Sequence, residues 1–69
     1  MSVAKVIEIS ATSPDSFEAA VADGIRRASK TVKNIQGAWV KEQQVTVSNG
    51  KIDGYRVNLK VTFLLDGNE

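Results

Sequence analysis

The sequence predicts an α+β fold of order β-α-β-β, with a three-stranded antiparallel sheet packed on one helix. Three observations predict it. In residues 55–65, Tyr55, Val57, Leu59, Val61 and Phe63 alternate with Arg56, Asn58, Lys60 and Thr62. A period of two over that length marks a strand with one buried and one polar face. Residues 17–32 carry apolar positions at steps of three and four, the spacing of an amphipathic helix. Asn49-Gly50 stands between two β-rich runs and is a strong hairpin signal.

Residues 3–10 form the first strand, with Ile7 and Ile9 inward and Glu8 outward; Val6, Ile7 and Ile9 are good β-formers. Residues 11–13 break the pattern. The run Thr12-Ser13-Pro14-Asp15-Ser16 opens a helix. Ser13 can cap it with Pro14 at the first helical position, or Asp15 can cap it with Glu18 three residues on. The apolar stripe is Phe17, Ala20, Val21, Gly24, Ile25, Ala28 and Val32, and acids precede bases along it as the macrodipole favours. Gly24 on that stripe costs about 1 kcal/mol of helix propensity against Ala. Its place there points to close approach by a strand or another subunit. The helix is expected to end at residues 33–34, with Ile35 as a closing contact.

Residues 36–47 form the second strand. Ala38 and Val40 share one parity, while Trp39, Lys41, Gln43, Val45 and Val47 share the other. A bulge or bend within residues 42–44 would bring both apolar ends to one core. The turn at Asn49-Gly50 is followed by Ile52-Asp53-Gly54, which suggests a connection longer than two residues. The third strand is residues 55–65, and Asp66-Gly67-Asn68-Glu69 is expected to fray as a polar tail. The first strand pairs most simply with the third.

Sixty-nine residues make a single domain, 1–69, and a chain of that size buries only about 60% of its unfolded surface. Small scaffolds gain stability from disulfides, metals or self-association. With no cysteine and no histidine, disulfides, thiolate sites and imidazole ligands are excluded, and self-association is the expected route. The same absences remove the commonest nucleophile and general base, so no enzyme activity is expected. A net charge of +1 argues against a nucleic-acid partner or a membrane surface. No apolar run reaches the roughly 20 residues of a membrane span, and residues 1–10 lack a signal-peptide core. The expected location is cytoplasmic.

One helix covers one face of the sheet. The second face would carry Val6, Glu8, Gly37, Trp39, Lys41, Arg56, Asn58, Lys60 and Thr62. An indole among charges and amides on a strand face points to a subunit contact or a ligand cleft. Glu8, Glu42, Asp53, Asp66 and Glu69 are scattered and lack calcium-loop spacing, so a metal site would need several copies around a symmetry axis.

In this order and spacing the chain resembles the dodecins, small β-α-β-β proteins that assemble into hollow homododecamers. The resemblance spans nearly the whole length. It rests on Lys5-Val6-Ile7-Glu8-Ile9, Thr12-Ser13-Pro14, Ala28-Ser29-Lys30-Thr31-Val32, Val40-Lys41-Glu42, Tyr55-Arg56-Val57 and Val61-Thr62-Phe63. It implies a non-enzymatic storage or buffering protein whose family ligand is a flavin, FMN or riboflavin, stacked on a tryptophan of the second strand and bonded by a glutamine of the third. Here Gly37 falls at the tryptophan position, with Trp39 two residues on, and Arg56 falls at the glutamine position. Gly37, Trp39 and Arg56 are therefore the candidate ligand residues. Trp39 offers a displaced aromatic platform or packs in a subunit contact. Arg56 binds a phosphate or carboxylate, stacks on a ring, or pairs between subunits with Glu8 or Glu42. Dodecin-like chains without the stacking tryptophan imply the alternative, a flavin-free cage that binds calcium or serves as a scaffold.

Overall fold

A computed structural model describes residues 3–65 of the chain; the expected fraying of residues 66–69 lies outside them. The elements run β1 (Ala4–Ser13), α1 (Phe17–Ala28), β2 (Ile35–Ser48) and β3 (Lys51–Leu64). The strands form one sheet of order β1-β3-β2, antiparallel throughout, with β3 in the centre as the expected pairing of the first strand with the third requires. Val57, Leu59 and Val61 of β3 and Ala20 of α1 are fully buried, ringed by Ile7, Ile9, Ala11, Phe17, Val21, Ile25 and Ile35.

The first strand runs three residues beyond its expected end. Ala11, Thr12 and Ser13 keep pairing with Val57, Arg56 and Tyr55, so the β3 template overrides their weak propensity. The helix cap is neither Ser13 nor Asp15 but Ser16, whose Oγ accepts from Ala19 N at 2.9 Å. Ser13, buried at the end of β1, accepts from Asp15 N at 3.0 Å instead. Two serines three apart thus divide the work, one closing the turn around Pro14 and one starting the helix.

The helix also stops earlier than its periodicity suggests. Ser29 Oγ donates to Ile25 O at 2.8 Å, and the backbone bonds of Lys30 and Thr31 go to Arg27 O and Ala28 O, a 3₁₀-like tightening. Asn34 at φ 66° then reverses the chain, a conformation asparagine tolerates better than most residues. Ile35 packs on the core as expected. Gly24 is where α1 meets β1: a Cβ built on it would stand 3.0 Å from Ala11 Cβ.

The β2–β3 register shifts between Val40 and Glu42, leaving Lys41 as the extra residue, one position before the expected bulge. The facing is as expected, but the ends do not join the core: Ala38, Val40 and Val45 stay exposed. Ala38 and Val40 face the helix side opposite Val61 and Leu59, and after the bulge Val45 returns to that side opposite Tyr55. The hairpin is a two-residue turn after all. Ser48 pairs with Lys51, and Asn49 and Gly50 take φ 52° and 76°, the left-handed pair of a type I′ turn. Residues 51–54 therefore extend β3 instead of lengthening the loop.

The 12 residues of α1 span about 18 Å, whereas the 14 of β2 or β3 can extend about 46 Å. The helix lies over β1 and β3, leaving Val40, Val45, Val47 and Ile52 exposed along β2 and the hairpin. Among the described residues no helix is long and apolar enough to cross a membrane.

Candidate functional site

The sheet face opposite α1 is open, and its rows follow from the register. Val6, Thr62 and Gly37 form one row, Glu8, Lys60 and Trp39 the next, then Ser10, Asn58 and Glu42, then Thr12, Arg56 and Gln44. Every residue expected on this second face is on it. Because Lys41 is the bulged residue, its side chain can cross β3: Lys41 Nζ meets Glu8 Oε2 on the far strand at 3.2 Å. Asn58 Nδ2 donates to Glu42 Oε1 at 2.9 Å, and Lys60 Nζ sits 5.8 Å from the centre of the Trp39 ring. A cation at that distance is attracted by the indole face.

Trp39 is 53% exposed, and nothing lies within 4 Å of a Cβ built on Gly37. The indole therefore borders an open patch where its neighbour two residues back has no side chain. Arg56 is exposed in the row of Thr12 and Gln44. Four β3 positions separate its row from that of Trp39, about 13 Å along the strand. The structure thus brings Gly37 and Trp39 together and holds Arg56 on the same face but apart from them. Within the chain, Glu8 and Glu42 are engaged by Lys41 and Asn58, not by Arg56. Among the described residues, no group of three or more acidic side chains is close enough to hold a metal ion.

Sequence reasoning missed the Glu8–Lys41 pair. Its signal was the combination of the β1–β3 register with a bulge, and neither alone predicts a contact across two strand spacings. Both partners are about half exposed, so the pair contributes at most about 1 kcal/mol and chiefly orders the face.

Comparison with known proteins agrees with this architecture. The dodecin family model matches residues 3–66, and the chain belongs to the dodecin family. The calcium dodecin of Mycobacterium tuberculosis is 50% identical over 64 residues, covering 91% of this chain and 89% of the relative. Its crystal structure, described as containing a novel calcium-binding site, superposes with a TM-score of 0.81 at 43% identity, covering 97% of this chain and 96% of that one. The dodecin of Thermus thermophilus is 34% identical over 64 residues, covering 93% of each chain. The dodecin from Streptomyces davaonensis superposes with a TM-score of 0.91 at 35% identity, covering 94% of this chain and 96% of that one.

Proposed function

We propose that this chain is the subunit of a hollow homo-oligomeric shell, a dodecamer by family resemblance, that holds calcium ions and performs no reaction. The observation that carries the ligand is the departure at Gly37. The family's ring-stacking position has no side chain, and Arg56 stands where an amide would bond the ring. The 50% identity to a calcium dodecin supports the same direction. Among the described residues of a protomer, no three carboxylates come together, which leaves too few for the six to eight oxygens calcium takes. The ion therefore belongs where copies meet. The shell itself is supported by the uncovered apolar side chains of β2 and by the small core.

Flavin is the second reading, favoured by one observation, the exposed indole of Trp39 beside the gap at Gly37. A ring stacked there would sit about 6.6 Å along the strand from the family position.

Size-exclusion chromatography with light scattering tests the shell, and a clean monomer would overturn it. On the assembled protein, terbium luminescence sensitised by Trp39 and competed by calcium tests the ion. Quenching of riboflavin fluorescence at tens of micromolar tests the flavin. Calcium competition without quenching is the expected result. Quenching without competition replaces the first reading by the second.

A further inference from the structure

Charge on the open face is balanced only in part within one chain. Lys41 neutralises Glu8 at 3.2 Å, and Lys60 rests 5.8 Å from the centre of the Trp39 ring. Glu42 receives a neutral hydrogen bond, from Asn58 Nδ2 to Oε1 at 2.9 Å, and among the described residues its Oε2 has no partner. Arg56 is exposed, and among the described residues neither an ion pair nor a hydrogen bond engages its side chain. The unmatched charges Glu42 and Arg56 are therefore opposite in sign.

They are also close together. Glu42 pairs with Asn58 and Gln44 with Arg56, so their rows are consecutive, about 6.6 Å apart along the strands. Both side chains stand out from the sheet, where a carboxylate and a guanidinium fork meet best with a partner arriving from above. Opposite charges in adjacent rows make the face self-complementary. A second copy laid on it about a two-fold axis, in the plane between the faces and midway between the two residues, sets Arg56 of each copy opposite Glu42 of the other. Such an interface is isologous and makes the same contact twice. Trp39, 53% exposed on the same face, belongs with arginine to the residue types in which interfaces are enriched.

We propose that the open face docks on the same face of a second copy, with reciprocal Arg56–Glu42 ion pairs fixing how the two copies are set. This contact rests on the shell reading and adds to it the face and the residues that meet.

Charge reversal tests it, read as native mass by light scattering across a dilution series. Arg56→Glu alone and Glu42→Arg alone each bring like charges together twice per interface. Each is expected to raise the concentration at which the assembly dissociates by about tenfold or more. An equimolar mixture of the two variants restores opposite charges at both contacts and is expected to assemble as the unaltered chain does. A pair formed within one chain, or a small anion held by Arg56, gives no such recovery on mixing. Both positions are exposed, so each variant is expected to keep the circular dichroism of the unaltered chain. If a reversed variant does not fold, Arg56→Gln and Glu42→Gln replace the pair. Each is expected to lose about threefold, and the double variant no more than either alone. Two results would overturn the contact while leaving the shell standing: an Arg56→Glu chain that assembles undiminished, or a mixture that stays dissociated. A monomeric unaltered chain overturns the shell and the contact together.

Discussion

Replacing Gly24 by Ala sets helix propensity against packing, and the structure decides between them. In an open helix the change stabilises by about 1 kcal/mol, and a buried methyl adds about 0.8 kcal/mol of transfer energy. Here the new Cβ would stand 3.0 Å from Ala11 Cβ, 3.5 Å from Leu59 Cδ1 and 3.6 Å from Ile9 Cδ1. The nearest atom belongs to a methyl fixed to strand backbone, which has no rotamer with which to yield. Relief requires α1 and β1 to part by a few tenths of an ångström, which weakens the contacts the helix makes with the core. Overpacking of this kind costs about 1–3 kcal/mol. Set against the gains of about 1 and about 0.8 kcal/mol, a cost at the upper end of that range leaves Gly24→Ala destabilised by up to about 1 kcal/mol. The loss is read by urea unfolding at fixed protomer concentration, because association contributes to stability. Ala11→Gly removes the opposing methyl, so the double-mutant cycle should give a favourable coupling of about 1 kcal/mol or more. A stabilised Gly24→Ala variant with no coupling to Ala11→Gly would refute the close-approach account of this glycine.

Three further substitutions probe the site and the turns. Gly37→Trp has open space for its side chain and returns a ring to the family's stacking position; riboflavin quenching is expected to strengthen by about tenfold or more, with an unchanged native mass. Asn49→Ala places a Cβ residue with no local hydrogen-bonding group at φ 52°, and thermal unfolding should register a loss of about 1 kcal/mol. Ser16→Ala removes the cap to Ala19 N and is expected to cost about 1 kcal/mol in urea, whereas Asp15→Ala should cost less than half of that; equal losses would return the cap to Asp15.

The parts of the fold that were legible in the sequence are those set by periodicity. The alternation of Tyr55 to Phe63 identified the central strand and its buried face, and the stripe through Ala20, Gly24 and Ile25 identified the helix face. Boundaries were less legible because they depend on which local bonds win. Val32 continues the helical spacing, yet the hydroxyls of Ser29 and Thr31 turn to the backbone and end the helix at Ala28. Ser13 and Ser16 are equally good caps by type, and only the pairing of Ser13 with Tyr55 commits it to β1. The site was legible as a face, since residues two apart on a strand point the same way. It was not legible as a set of contacts. The Lys41–Glu8 pair depends on a one-residue bulge whose position the parity change located only to within a residue.

The geometry of the open face also limits how any ligand is held. Trp39 and Arg56 share the face but their backbone positions stand about 13 Å apart along the sheet, so a ring stacked on the indole meets Arg56 only through the length of its side chain. Glu8 and Glu42 are likewise in different rows, and each already has a neutralising or hydrogen-bonding neighbour. Lys60 already sets a cation beside the Trp39 ring of the same chain, whereas enough carboxylate oxygens for calcium would have to be drawn from more than one copy. The same sheet leaves Val40, Val45, Val47 and Ile52 exposed where a second copy would bury them. On the proposed reading, with the ion held where copies meet, binding and assembly are one linked equilibrium. Ligand should therefore raise the midpoint of subunit dissociation, and dilution should weaken binding. Binding that persists undiminished in a dilute monomer would break that link, and would locate the site within a single chain.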